Sequence, residues 1–219
     1  QPVTGQSSTL RADALVIVNS TSGASIHFDQ WIQPYLDHFG VPYTIWDIAT
    51  TPTVPDLESF AVIIIGHDQL DHYNTYLTPA IQAEISLAVS QGTGLVNFDF
   101  DLSTGDFQDY YYFVHDIFNF EFYQADPATI VSFNPPPSLG GYITSLQVPG
   151  TSYTLRHEVP LVGVIPDVGS ATLSNLGSDP LVVVDTYGLG RAVQWTTINW
   201  MGSGNLGPVS GLDDLVWRS

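Results

Sequence analysis

Runs of consecutive apolar residues constrain the fold of this 219-residue chain more than any other feature of it. Residues 14–18 and 60–66 are continuous and rich in β-branched side chains, which is typical of strands buried on both faces. Segments with helical spacing of apolar residues begin near Ser25 and at Thr78-Pro79, and Gly40 and Gly92 end them. The four predicted strands are residues 14–18, 43–48, 60–66 and 95–100.

The order strand, helix, strand, strand, helix, strand predicts an α/β fold over residues 13–102. We expect a three-layer, Rossmann-like or flavodoxin-like parallel sheet with helices on both faces. The pattern changes over residues 103–219, which predict an aromatic-rich, partly β second half. There, residues 181–187 and 191–196 predict a β-hairpin, and residues 212–217 predict the first turns of a truncated C-terminal helix. We interpret residues 1–219 as a single domain.

The charge balance restricts the possible partners. The chain has 4 Lys+Arg, none of them Lys, against 22 Asp+Glu, for a net charge of −18. Nucleic acid and anionic membranes are excluded as partners because both need clustered cations. Membrane insertion is not expected either, since no apolar run reaches the roughly 18 residues that a spanning helix needs. The field favours cationic partners or metal ions, although acidity also serves solubility alone.

Several features predict a secreted protein that is extracellular or associated with the cell wall. Charged residues make up only 12% of the chain, Lys is missing, and Gln1 is interpreted as a processed N-terminus. Asn19-Ser20-Thr21 is a glycosylation sequon, so Asn19 is a candidate glycan acceptor. The chain has no Cys, which excludes thiol catalysis and zinc sites built on thiolates.

Polar residues gather where two predicted strands end. His67, Asp68 and Asp71 follow the third strand, and Asp99 and Asp101 end the fourth. Ligands of open α/β sheets bind in the crevice outside the carboxyl ends of the strands. Three interpretations remain open for this cluster: a metal site, a structural polar loop with a helix cap, and a sugar-binding site.

Sugar binding needs a flat aromatic face and polar groups for the hydroxyls, and an amino sugar also needs a carboxylate near its ammonium. The segment after the fourth strand interleaves Asp with consecutive Tyr, and three consecutive Tyr residues cannot all point inward. A Gly-rich loop adds an aromatic residue that we expect to be exposed. The predicted ligand-binding residues are His67, Asp68, Asp71, Tyr73, Asp99, Asp101, Asp106, Asp109, Tyr110, Tyr111 and Trp200.

Three short motifs together resemble the class I glutamine-amidotransferase-like superfamily: Leu77-Thr78-Pro79, Gly92-Thr93-Gly94-Leu95-Val96 and Tyr187-Gly188-Leu189-Gly190-Arg191. Residues 211–218 are similar to the segment that joins such a domain to a polysaccharide-deacetylase-like domain. Over its whole length the chain resembles the N-terminal carbohydrate-binding module, family 87, of secreted fungal galactosaminogalactan deacetylases. It lacks the Cys nucleophile of the amidotransferases.

The resemblance implies a non-catalytic module without a cofactor. It would bind a cationic or partly deacetylated galactosamine-containing exopolysaccharide of biofilms for a C-terminal deacetylase domain in the parent chain. One alternative is a metal- or carboxylate-dependent glycan hydrolase or esterase that uses His67, Asp68, Asp99 and Asp101. Another is a structural domain that packs on a catalytic neighbour.

Overall fold

The computed structural model describes residues 13–134 and 152–201. Nine strands form one mixed sheet in the order β2-β1-β3-β4-β11-β10-β9-β6-β7, and β5 and β8 form a small antiparallel pair. The strands are β1 (Ala14–Val18), β2 (Tyr43–Asp47), β3 (Val62–Ile65), β4 (Gly94–Asn97), β5 (Glu121–Tyr123), β6 (Ala128–Phe133), β7 (Ser152–Val159), β8 (Gly163–Ile165), β9 (Ala171–Leu176), β10 (Asp179–Tyr187) and β11 (Gly190–Trp195).

The predicted fold class is confirmed. Strands β2, β1, β3 and β4 are parallel, with Val16 opposite both Ile45 and Ile64. Strand β11 pairs in parallel with β4, and β10, β9, β6 and β7 then continue the sheet in antiparallel fashion. The change of pattern at residue 102 therefore marks no break in the sheet. The interpretation of residues 1–219 as one domain extends beyond the described residues and stays a prediction.

The first helical segment is less regular than its apolar spacing predicts. Residues Phe28–Ile32 form a π-helix turn, and α1 (Gln33–Phe39) follows it. The N–H of Gln33 donates to the carbonyl of Phe28, five residues back. Pro34 lacks an N–H and cannot extend an α-helical ladder towards residue 30, which accounts for the wide turn at this point. The helix ends where expected, at Gly40, whose φ is 64°.

The second predicted helix is confirmed as α2 (Pro79–Ser90). Pro79 stands in its first turn, and the Thr78 hydroxyl accepts a hydrogen bond from the N–H of Ile81. A third helix, α3 (Tyr112–Phe118), lies in the aromatic-rich segment, and short 3-10 turns occupy Leu57–Ser59 and Asn199–Met201. In the described part of the chain, no helix is long and apolar enough to cross a membrane. The predicted C-terminal helix over 212–217 lies outside the described residues.

The sheet separates two apolar layers, as a three-layer fold requires. Alternate residues of β1 point to opposite faces: Val16 packs in one layer with Phe28, while Leu15 packs in the other with Ile85. Trp46 and Trp195 belong to this core, since their side chains are 3% and 0% exposed. This arrangement makes β1, β3 and β4 rigid central strands whose carboxyl ends present loops at one edge.

The β10–β11 hairpin is confirmed and packs tightly against the end of α2. The N–H of Leu189 donates to the carbonyl of Ser90 over 2.8 Å. A Cβ atom at Gly190 would lie 2.1 Å from the carbonyl oxygen of Val89 and 2.6 Å from that of Thr93. Only glycine allows this approach of two backbones.

Gly190→Ala is expected to lower the free energy of unfolding by about 2 kcal/mol or more, because the added methyl group meets backbone atoms that cannot rotate away. Gly105→Ala is the matched control, since a Cβ there meets nothing within 4 Å. Urea unfolding of both variants measures the difference. Equal stability of the two variants would contradict this account of the hairpin.

Candidate functional site

Three loops meet at the carboxyl edge of the parallel strands. They follow β1, β3 and β4 and contain residues 19–25, 66–78 and 98–111. Most of the predicted ligand-binding residues belong to the second and third loops. The structure separates them into a buried group that holds the loops together and an exposed group that faces solvent.

The carboxylate of Asp99 is the centre of the buried group. The residue is fully buried, and its two oxygens accept four hydrogen bonds. Oδ1 accepts from the N–H groups of Gln69 (3.0 Å) and Asp101 (2.9 Å). Oδ2 accepts from the N–H of Leu70 (2.9 Å) and the hydroxyl of Tyr111 (2.9 Å). Burial is the dominant effect on this carboxyl and raises its pKa to about 7, against the opposing effect of the hydrogen bonds.

Asp71 fixes the second half of the same loop. Its Oδ1 accepts from the N–H of Thr75, and its Oδ2 accepts from the N–H groups of Tyr76 and Leu77 at 2.8 and 2.7 Å. The buried hydroxyl of Tyr111 links the backbone of Asp71 to the carboxylate of Asp99, because it accepts from the N–H of Asp71 and donates to Asp99. Burial, followed by the charge of Asp99, raises the pKa of Tyr111 well above its usual value. Asp71 and Asp99 therefore satisfy backbone N–H groups inside the protein.

His67 is buried and serves the loop after β1. Its Nε2 accepts from the N–H of Asn19 at 3.0 Å, so its Nδ1 carries the hydrogen that is donated to the carbonyl of Asp68. Burial lowers the pKa of His67, which keeps the ring neutral in this tautomer. Neither ring nitrogen is available to a ligand.

Asn19 is 5% exposed, and its Nδ2 donates to the carbonyl of Leu70 at 2.7 Å. Its Oδ1 accepts from both the N–H and the hydroxyl of Thr21. A glycan acceptor needs an accessible Nδ2, so this environment argues against the predicted glycosylation of Asn19. The amide instead joins the loops after β1 and β3.

Asp68 contacts a third element. Its Oδ1 hydrogen-bonds Nδ1 of His27, whose ring stacks on Trp31 with centroids 3.9 Å apart. This pair connects the π-helix turn to the loop after β3. It does not lie among the residues that line the nearby depression.

A depression of about 400 Å³ lies between the loops after β1 and β3. Tyr73 lines the depression and is 83% exposed. The remaining surface is made largely of hydroxyl and amide groups. The lining residues are Asn19, Thr21, Ser22, Gly23, Gln69, Asp71, His72, Tyr73, Thr75 and Tyr76.

His72 is held at the rim of this depression by Asp101. Its Nδ1 lies 2.6 Å from Oδ2 of Asp101, and the imidazole side chain is 49% exposed. The ring stacks on Tyr110 with centroids 5.4 Å apart and planes 24° apart, and it meets Tyr73 edge-on at 4.8 Å. Burial and the neighbouring carboxylates raise the pKa of Tyr110 to about 12, so its hydroxyl remains protonated at neutral pH.

Of the eleven predicted residues, Asp71 and Tyr73 line the depression, and Asp101 and Tyr110 contact His72 at its rim. His67, Asp68, Asp99 and Tyr111 form its buried support. Asp109 instead pairs with His115 at 2.9 Å, and the exposed Asp106 is not among the lining residues. The expectation of an exposed Trp200 is wrong: its ring is 1% exposed and lies 5.8 Å from that of Trp195 in the core.

The predicted set omits His72 and the hydroxyl-bearing residues of the first loop. The sequence contains a signal that could have identified His72, because His72 follows β3 and Asp101 follows the adjacent β4.

Within residues 13–134 and 152–201, no group of three or more His, Asp or Glu side chains could hold a metal ion. The four residues of the alternative hydrolase are mainly occupied by internal hydrogen bonds.

Comparison with known proteins shows the fold. No family model and no curated protein matches the chain. Among solved structures, a cytoplasmic protein of Salmonella typhimurium LT2 is 15% identical, with a TM-score of 0.60 over 94% of this chain and 96% of its own. A second cytoplasmic protein of Salmonella typhimurium is 14% identical, with a TM-score of 0.61 over 94% of this chain and 96% of its own. A ThuA-like protein of Bacteroides uniformis is 14% identical, with a TM-score of 0.62 over 100% of this chain and 93% of its own.

Two predictions are corrected by these neighbours. The assignment to carbohydrate-binding family 87 is wrong, since no family model matches and the neighbours are of the ThuA-like kind. That kind is compatible with the glutamine-amidotransferase-like fold. The prediction of a secreted protein is also wrong on this comparison, because both Salmonella neighbours are cytoplasmic proteins.

The buried Asp99 carboxyl predicts an unusual dependence of stability on pH. Its pKa is about 7 in the folded protein and near 3.9 in an unfolded chain. The folded state thus binds more protons between these values, and the free energy of unfolding should fall as pH rises from 5 to about 7, by roughly 1.4 kcal/mol per unit at most. His67 acts in the opposite sense, since its lowered pKa removes stability as pH falls below about 6.5.

Asp99→Asn isolates the carboxyl, because His67 is present in both proteins. The difference in unfolding free energy between the natural chain and this variant should shrink from pH 5 to pH 7 and stay constant above about pH 8. Asp106→Asn, at an exposed carboxylate, should show a difference that does not change with pH. A constant difference for Asp99→Asn would contradict the raised pKa.

Proposed function

We propose that this domain binds a saccharide in the depression at the carboxyl edge of β1 and β3. The observation that carries the proposal is the exposed ring of Tyr73 beside a surface of hydroxyl and amide groups. A pyranose presents C–H bonds on its faces and hydroxyls at its rim, so it pairs with an aromatic ring and surrounding polar groups. The location also agrees with the general position of ligand sites in open α/β sheets.

The volume of the depression suits a small part of a glycan. A volume of about 400 Å³ is at the lower end for ligand pockets and can hold one or two sugar rings. Hydroxyls of Thr21 and Ser22 donate to protein acceptors, yet their oxygens can still accept from a ligand. Because Asn19 joins the loops after β1 and β3, and Asp99 and Asp71 fix the loop after β3, this surface is pre-formed and little conformational entropy is lost on binding.

The internal hydrogen bonds change the expected recognition of an amino sugar. Among residues 13–134 and 152–201, Asp71 is the only carboxylate that lines the depression, and it already accepts three backbone N–H groups. Asp101, at the rim, is paired with His72. We therefore propose that ring hydroxyls, rather than an ammonium group, determine binding. The net charge of −18 then adds only a long-range attraction for cationic sugars, which salt screens.

Tyr73→Ala is expected to weaken saccharide binding roughly threefold to tenfold, the range for loss of one aromatic contact. Tyr112→Ala is the matched control, because Tyr112 is also exposed (59%) but lies on α3 and does not line the depression. Titration calorimetry or ligand-observed NMR with galactose, N-acetylgalactosamine and galactosamine measures the affinities at low and high salt.

The three sugars separate the two components of recognition. Binding of all three, with any advantage of galactosamine lost at high salt, would support hydroxyl recognition with long-range attraction. An advantage of galactosamine that persists at high salt would indicate direct ammonium pairing and contradict our assignment. Absence of binding to every sugar, or equal losses in Tyr73→Ala and Tyr112→Ala, would contradict a saccharide site at Tyr73.

A further inference from the structure

The geometry of the His72–Asp101 pair suits proton transfer, a function that goes beyond the proposed saccharide binding. A carboxylate only accepts hydrogen bonds, so the 2.6 Å contact places the hydrogen of the neutral imidazole on Nδ1. The lone pair of Nε2 is then directed away from Asp101. In the described ranges, 13–134 and 152–201, no group hydrogen-bonds Nε2, and the half-exposed ring is open to solvent.

The ring is fixed in place as well as oriented. Tyr110 stacks on one of its faces, and Tyr73 meets it edge-on. The backbone of Asp101 is anchored in turn, because its N–H donates to the buried Asp99 at 2.9 Å. A series of contacts thus runs from the buried Asp99 through Asp101 to His72 at the rim of the depression. Pre-organised catalytic groups require support of this kind.

We infer that His72, positioned by Asp101, is a general base that activates water for hydrolysis of an ester bound in the depression. No described group hydrogen-bonds Nε2 of His72, and the hydroxyls of Thr21 and Ser22 donate to Asn19 and Gln69, so this imidazole activates no side-chain hydroxyl in the described lining. Water is the remaining nucleophile. The hydrolase or esterase that the sequence left as an alternative uses His67, Asp68, Asp99 and Asp101, whereas the His72–Asp101 pair places the base at the rim of the depression.

The step balances without a cofactor. Nε2 of His72 removes a proton from water while the water oxygen bonds to the acyl carbon, and the carbonyl electron pair moves onto its oxygen. When that intermediate collapses, the bond from the acyl carbon to the alcohol oxygen breaks, and the alcohol takes the proton from Nε2. Ester and water give carboxylic acid and alcohol. Asp101 stays ionised and stabilises the imidazolium through Nδ1.

The chain contains a control with the same chemistry outside the depression. His115 pairs with Asp109 over 2.9 Å, its side chain is 53% exposed, and it is not among the lining residues. Any exposed imidazole accelerates the hydrolysis of an activated ester slightly. A built site must therefore show a larger contribution from His72 than from His115.

The test uses the full chain and p-nitrophenyl acetate as probe. His72→Gln is expected to lower the rate at least about tenfold, whereas His115→Gln should lower it only slightly. Both side chains are half-exposed, so thermal unfolding should show that the two variants remain folded. Equal rates for the natural chain and His72→Gln, or equal losses in the two variants, would overturn the proposal.

Two further variants separate chemistry from structure. Free imidazole should raise the rate of His72→Gly more than it raises the rate of His115→Gly or of buffer alone, because imidazole in solution also hydrolyses this ester. Asp101→Asn keeps the shape of the positioning residue but offers an amide hydrogen to Nδ1, so it should lower kcat more than it raises KM. Failure of imidazole to restore His72→Gly would overturn the role of the ring. Loss of saccharide binding has no bearing on these outcomes, since the probe contains no sugar.

Discussion

The buried carboxylate of Asp99 is the interaction on which the carboxyl edge depends. Its two oxygens hold the N–H groups of Gln69 and Leu70, the N–H of Asp101 and the hydroxyl of Tyr111. These donors come from the loop after β3 and from the loop after β4, which ends at Tyr111 before α3. A single carboxyl group thus joins two loops that would otherwise leave buried polar groups unsatisfied. The depression and the position of His72 both follow from where this carboxylate holds the loops.

The parallel half of the sheet could be predicted because its signals are local. The apolar runs of β1 and β3, the Thr78-Pro79 start of α2 and the glycines after both helices each act within a few residues. The pairing of β11 with β4, and the strands β10, β9, β6 and β7 beyond it, depends on contacts distant in sequence. Local patterns carry no information about which strand will lie next to β4. The π-helix turn before α1 was missed because apolar spacing does not reveal the effect of Pro34.

The location of the candidate site could also be predicted, but the roles of its residues could not. Asp71 and Asp99 follow strand ends, and that position is shared by ligand-binding residues and by residues that cap loops. The difference is decided by distant partners such as Tyr111, whose hydroxyl joins the backbone N–H of Asp71 to the carboxylate of Asp99. The comparisons do not supply these roles, since a likeness near 15% identity shows the fold alone. The net charge could not reveal these roles either, because several of the acidic side chains accept internal hydrogen bonds or pair with histidines.

Two histidines five residues apart show how the same loop supports both structure and chemistry. His67 points inward, accepts the N–H of Asn19 and is kept neutral by burial. The backbone then reverses at Gln69, where φ is 51°, in a conformation that Asp99 stabilises by holding the N–H of that residue. The reversal brings His72 to the surface, within reach of Asp101. The buried carboxyl of Asp99 therefore supports His72 in two ways. It holds the turn at Gln69 that precedes the ring, and it holds the N–H of Asp101, whose carboxylate orients the ring while Nε2 stays open.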